Sequence, residues 1–176
     1  MKHSTDRILT THVGSLPRSK AVTDVVFGRE RGDASDAADF ESVISHAVVE
    51  VVLRQRESQV DVVSDGEMSK ISYATYIKDR LTGFDGDSSR DPPADLEDYP
   101  QFLAKLAKSG GTPSYRRPRC VGEITPKDSR PLQDDLRWFD GALSTAVDRG
   151  NAPTEAFMNS ASPGVIALFQ PNEHYP

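Results

Sequence analysis

Cysteine is almost absent from this sequence: Cys120 stands alone among 176 residues. One thiol excludes an internal disulfide framework and a cysteine-rich zinc module. Aromatic residues are sparse as well, at 7% with a single tryptophan, and hydrophobic residues of all kinds reach only 36%. Apolar runs extend for a few residues at most, too short for a membrane-crossing helix. Met1 to Ile8 is polar and lacks the apolar stretch of a signal peptide. Positive charge is in deficit: 21 Lys and Arg face 27 Asp and Glu, a net charge of −6. Nucleic acid and anionic membrane surfaces repel such a chain, so neither is an expected partner. The expected location is the cytoplasm. The length suits one domain, residues 1–176, with a core of its own.

What is present is an alternation of strand and helix signals. Ile8–Val13 is β-branched and is stopped by Gly14-Ser15-Leu16-Pro17, which predicts a short strand and a turn. From Asp36 to Gln59, Phe40, Val43, Ile44, Ala47, Val48, Val51 and Val52 recur at steps of three and four, which predicts an amphipathic helix capped by Ser35 or Asp36. Val60–Ser64 reads as a strand that ends in the turn Asp65-Gly66-Glu67. A helix over Tyr73–Leu81 follows. Residues 83–118 read as a loop excursion. Its first part carries Asp85, Asp87, Asp91, Asp95, Glu97 and Asp98 against Arg90 alone, its middle suits a short helix over Gln101–Lys108, and its end brings Arg116 and Arg117, with Arg119 just beyond. Then come a strand over Cys120–Thr125, a helix over Pro131–Arg149, a strand over Glu155–Ser160 and a short helix over Val165–Phe169. Ser162 is the expected cap of that last helix and Pro163 its first residue. Alternation of this kind argues for βαβ units and a parallel sheet. In such folds ligands bind at the turns that follow the strands, where Ser15, Asp65 and Glu67 stand.

Three segments carry more than a fold class: Thr10-Thr11-His12-Val13-Gly14-Ser15-Leu16-Pro17-Arg18, Asp61-Val62-Val63-Ser64-Asp65-Gly66-Glu67-Met68 running on to Gly83-Phe84, and Phe157-Met158-Asn159-Ser160-Ala161-Ser162-Pro163-Gly164-Val165. Together and in this order they resemble the start of the cobalamin-independent methionine synthase family, above all its short single-barrel relatives. The resemblance implies a (β/α)8 TIM-barrel type of α/β fold. Such a barrel takes roughly 250 residues, so this chain is expected to be incomplete, with about the first four βα units.

The resemblance also implies a chemistry: a methyl group passes from 5-methyltetrahydrofolate, or a related donor, to homocysteine or another small thiol. The Gly14-Ser15 turn would hold the amino-acid part of that thiol, and Glu67 would bind its ammonium group with Asp65 in support. Arg18, with its planar fork, is the candidate for a substrate carboxylate or sulfonate. His12 is expected near the barrel mouth, and the arginine cluster near the path of a folate tail. In the family a zinc ion activates the thiol, held by His and Cys residues of later strands. Here the available soft ligands are His3, His12, His46, His174 and Cys120, and none forms a closely spaced pair. The expectation is that no zinc site is complete in this chain and that no catalytic residue or metal ligand is assignable within it. Two other readings stand beside this one. One is zinc-dependent alkyl transfer to a thiol such as coenzyme M. The other is a catalytically incomplete half-barrel that binds substrate, or pairs with itself or with a complementing second half-barrel.

Overall fold

The computed structural model describes residues 2–33, 37–72, 76–88, 94–109 and 117–176. The first regular element is helix α1, Lys20–Arg31. Ser19 caps it by accepting a hydrogen bond from the Val22 amide, and Gly32 ends it in the left-handed conformation. Val22, Val26 and Phe27 turn inward. Sequence reasoning passed over this helix, although its cap, its apolar spacing and its terminal glycine are all present.

Helix α2, Ala37–Glu57, follows the predicted stripe: Phe40, Ile44, Val48, Val51 and Val52 are buried. Its expected caps, Ser35 and Asp36, lie outside the described residues. His46 is exposed and its ring Nδ1 lies 2.7 Å from the Ser42 carbonyl, so it sits off the apolar stripe. Helix α4, Arg130–Asp148, packs on α2. Ala142 and Ala146 are fully buried on it, and side chains so small let two helix backbones approach closely. The Phe40 and Trp138 rings meet at 6.3 Å between centroids in a tilted arrangement.

Between the helices lies a short parallel ladder. Strand β1, Val62–Ser64, pairs with β4, Glu155–Phe157, in the register Val62↔Glu155. Thr11 adds one parallel bridge to Val62 on the other side. That bridge is what remains of the predicted strand over Ile8–Val13. Ile8 is 83% and Val13 68% exposed, so β-branched composition without a packed face did not build a ladder there. Deep in the core, Gln55 of α2 serves Ser64 of β1 on both sides: its amide donates to the Ser64 carbonyl at 2.8 Å and its oxygen accepts from the Ser64 amide at 3.0 Å. Two buried backbone groups are thereby satisfied without a neighbouring strand.

The strand expected over Cys120–Thr125 does not join this ladder. Only Arg119–Cys120 is regular (β3), and it runs antiparallel to β2, Phe84–Asp85. A further bridge, Leu81↔Pro126, continues the ribbon. The two stems of the excursion therefore pair with each other, as antiparallel neighbours can without a crossover helix. A glycine makes the closest contact feasible: a Cβ on Gly83 would lie 2.5 Å from the Gly122 carbonyl oxygen. Three segments, around Thr11, β1 and β4, thus share the parallel sheet, against the four expected.

The remaining elements are short. Tyr76–Asp79 is a 3-10 turn where a longer helix from Tyr73 was expected; residues 73–75 lie outside the described residues. Within the excursion, helix α3, Pro100–Ser109, covers the span predicted to be helical. Of the residues noted there, Arg90, Asp91 and Arg116 lie outside the described residues. Helix α5, Pro163–Phe169, starts as expected, with Ser162 Oγ accepting from the Val165 amide at 3.2 Å. No helix among the described residues is long and apolar enough to cross a membrane.

Candidate functional site

Two turns meet at the end of the parallel segments. The first follows Thr11. Gly14 has φ +99°, open space surrounds the place where its Cβ would be, and Ser15 beside it is exposed. That φ favours glycine, and the space above it leaves backbone free for a ligand to approach. The second turn follows β1 and is wholly buried: Asp65 is 3% and Glu67 1% exposed. Gly66 has φ +62° and Glu67 +56°, two left-handed residues in succession. For a glutamate that backbone costs roughly 1–2 kcal/mol, so the surroundings must hold it.

They do so through a dense set of contacts. The Asp65 carboxylate accepts from the Glu67 amide at 3.1 Å, and its other oxygen pairs with the Lys70 ammonium at 2.7 Å. Both side chains of that pair are 4% exposed. Lys70 also lies 3.7 Å from Asp135 of α4, which accepts from Ser69 Oγ at 2.7 Å and pairs with Arg80 at 2.8 Å. The Leu16 amide donates to the Gly66 carbonyl at 3.1 Å, joining the first turn to the second. Arg18 crosses the same gap. Its Nη2 donates to the Glu67 carbonyl at 2.8 Å and also to the Lys70 carbonyl. Burial draws its guanidinium below the ordinary arginine value, while the charges of Glu67 and Asp65 oppose that shift.

The Glu67 side chain then meets two neutral donors. Ser15 Oγ donates to one oxygen at 2.5 Å and Asn159 Nδ2 to the other at 2.9 Å. These partners are 52 and 92 residues away in sequence. Among the described residues no cation lies in ion-pair contact with the Glu67 carboxylate: Arg18 Nη2 bonds two carbonyls while its charge acts on Glu67 from farther off, and Lys70 pairs with Asp65 and Asp135. Both oxygens of this buried carboxylate are thus hydrogen-bonded by neutral groups.

Of the six residues singled out for substrate, the structure brings together Ser15, Glu67, Asp65 and Arg18, with Gly14 adjoining. His12 stands apart. It lines a cavity of about 480 Å³ toward α1 and α2, with Leu16, Val22, Val51, Met68 and Arg18, and its buried Nε2 has no hydrogen-bond partner. The alternation of side chains along an extended segment turns it to the helix face rather than to the mouth. A second cavity, of about 560 Å³, lies behind Lys70 and Asp135 and includes neither Ser15 nor Glu67. Sequence reasoning missed Lys70 and Asp135, lone charged residues in polar stretches that carry no motif. It noted Asn159 only at the end of the expected strand over Glu155–Ser160, within the third segment of the resemblance. Arg117 and Arg119 lie elsewhere: the Arg117 guanidinium stands over the Phe169 ring at 5.9 Å, and Arg119 pairs with Glu173 at 2.8 Å. Cys120 is buried, with Sγ against the Gly122 carbonyl. No three His, Cys, Asp or Glu side chains among the described residues gather as a metal site.

Residues 8–91 match the family model described as the catalytic domain of cobalamin-independent synthase. A methionine synthase of Sulfolobus acidocaldarius is 35% identical over 115 residues, 65% of this chain and 29% of its own length. A 5-methyltetrahydropteroyltriglutamate–homocysteine methyltransferase of Haemophilus influenzae is 26% identical over 77% of this chain and 15% of its own. A solved B12-independent methionine synthase from Shewanella, in complex with selenomethionine, superposes with a TM-score of 0.61 at 17% identity, covering 94% of this chain and 41% of that one. The chain therefore spans under a third of these two curated relatives. The likeness to the solved structure is one of α/β fold.

Proposed function

We propose that this chain, a relative of the cobalamin-independent methionine synthases, uses its two meeting turns to hold the amino-acid end of a small thiol, homocysteine in the first place, for methyl transfer from a folate donor. One observation carries the reading: Glu67 is a buried carboxylate whose oxygens meet only the neutral donors Ser15 and Asn159. An α-ammonium group is the missing cation, and its contact with Glu67 is a charge-assisted hydrogen bond. A serine hydroxyl and an asparagine amide can each rotate aside when that group arrives, and each remains near enough to bond the ligand. The open backbone at Gly14 and the exposed Ser15 lie beside the path it would take. The family names its donor and acceptor through relatives such as the Haemophilus methyltransferase.

Zinc, which the family implies, does not fit the described residues of this chain, because no ligand set comes together in them. No step is therefore routed through it. The residues present bind and orient an acceptor; activation of its sulfur needs groups beyond those described. Alkyl transfer to a thiol without an ammonium group, such as coenzyme M, would leave the Glu67 carboxylate uncompensated, so the geometry favours an amino-acid thiol. The exposed Ile8 and Val13 beside the short parallel ladder support a further reading, in which an incomplete barrel is covered by more polypeptide, from a second copy or a complementing half. Light scattering at micromolar concentration tests it, and a strict monomer argues against self-pairing.

The central test is calorimetric titration with L-homocysteine and with 4-mercaptobutyrate, which keeps the thiol and carboxylate but lacks the ammonium. Wild-type protein should prefer homocysteine by about tenfold or more, the equivalent of roughly 1.4 kcal/mol. Glu67→Gln should erase the preference. Equal binding of both thiols by wild-type protein overturns the proposal.

A further inference from the structure

We infer that Arg18 is a positioning residue: it sets the Glu67 carboxylate in place by tying the turn that bears it to the Ser15 turn. This rests on the reading of Glu67 as the ammonium site and gives that site its mechanical support. Arg18 stands three residues after Ser15, on the turn that supplies one of the two donors to Glu67. Its Nη2 reaches across to the carbonyls of Glu67 and Lys70, which bracket the far side of the second turn. One guanidinium thus fixes two things at once. It holds Glu67 at φ +56°, a conformation a glutamate otherwise leaves, and it holds the second turn against the Ser15 turn.

Other contacts hold the second turn from within and from its neighbours. The Leu16 amide ties Gly66 from the same side, and Asp65 holds the Glu67 amide. The Glu67 carbonyl accepts from the Lys70 amide at 3.1 Å within its own turn and from Arg18 at 2.8 Å across the gap, and Arg18 is the partner that ties it to the Ser15 turn. From behind, a Cβ on Gly66 would lie 3.1 Å from both Met68 Cε and Val51 Cγ2, so the turn is also closed against movement toward the core. Loss of Arg18 leaves the Lys70 amide on the Glu67 carbonyl but removes that carbonyl's tie to the Ser15 turn. Both bonds come from Nη2, and the buried Nε makes no hydrogen bond.

Glutamine and lysine substitutions test this with the same pair of thiols. Arg18→Gln should weaken homocysteine binding about tenfold and leave 4-mercaptobutyrate binding unchanged, because only the ammonium contact depends on where Glu67 sits. Arg18→Lys, which keeps the charge and one donor group, should recover part of the loss. In ligand-free protein, the ¹³C carboxyl resonance of Glu67 should move in Arg18→Gln and return toward its wild-type position in Arg18→Lys. An equal loss for both thiols overturns the inference and makes Arg18 a direct contact of the ligand carboxylate. Unchanged binding of both, or an unmoved Glu67 resonance, overturns it as well. Failure of the underlying reading is distinguishable, since it shows in the wild-type protein and Glu67→Gln before any change at Arg18.

Discussion

Two stretches of this chain are acidic, and the structure treats them in opposite ways. Asp65 and Glu67 lie within a three-residue turn and are 3% and 1% exposed. In the excursion, Asp85, Asp87, Asp95, Glu97 and Asp98 are exposed. Composition does not separate the two. What separates them is the supply of donors. The buried turn receives Lys70 from just beyond it, Ser15 and Arg18 from the first turn, and Asn159 from beyond β4, whereas the acids of the excursion stay at the surface, Asp85 and Asp87 there accepting from the Gly86 and Arg117 amides. A carboxylate is withdrawn from solvent only where the fold can replace what water gave it.

The comparison is broken most violently at Lys70. Lys70→Met leaves Asp65 buried without its ammonium partner and removes a charge near Asp135. The expected loss is about 3–5 kcal/mol of stability, read as a fall in the denaturant midpoint. An unchanged midpoint would mean that the buried network is ornamental. Asn159→Ala comes next, since it takes one of two donors from a buried carboxylate. About 1–3 kcal/mol should be lost in the same measurement, and a loss below 0.5 kcal/mol would show that water replaces the amide.

Asp61 sharpens the comparison through pH. It is another buried carboxylate, 3% exposed, paired with Arg7 and accepting from the Thr10 amide at 2.8 Å. The Arg7 hydrogen bond, followed by that of the Thr10 backbone, holds its carboxyl well below the usual aspartate range. A depressed folded value means that the contribution is complete above the unfolded value of about 3.8 and is lost as pH falls through the folded one. Wild-type protein should therefore exceed Asp61→Asn in thermal midpoint at neutral pH, and the gap should close in strong acid. A gap independent of pH would count against the pairing. At the far end of the scale, Asp95→Asn in the excursion should change stability by less than about 0.5 kcal/mol. A larger effect would show that the exposed acids are structural after all.

Much of the helical framework was legible, because a helix writes its environment at short range. The stripe from Phe40 to Val52, Pro131 at the start of α4 and the Ser162-Pro163 cap of α5 each depend on residues three or four apart. Helix α1 carries the same signals over a shorter apolar face and was passed over. Strands were less legible. Ile8–Val13 and Cys120–Thr125 have strand composition, but a strand exists only where a partner does, and their partners turned out to be one bridge and an antiparallel stem. The same limit applies to the site. Ser15 and Glu67 stood out because their turns carry motifs, whereas Lys70 and Asp135 belong to no pattern, and Asn159 drew notice only at the end of an expected strand.

By itself, then, the sequence determined the net charge of −6, the apolar faces of α2 and α4, the two turns that bear Ser15 and Glu67, and the kinship that their motifs express. Each of these depends on composition or on residues a few positions apart. The tertiary structure alone decided that the acidic turn is buried, that Asn159 meets Glu67 across 92 residues, that Arg18 grips carbonyls, and that His12 turns away toward the helices. The reason is physical. Hydrogen bonds and burial join atoms that are close in space, and only the folded chain says which distant residues those are.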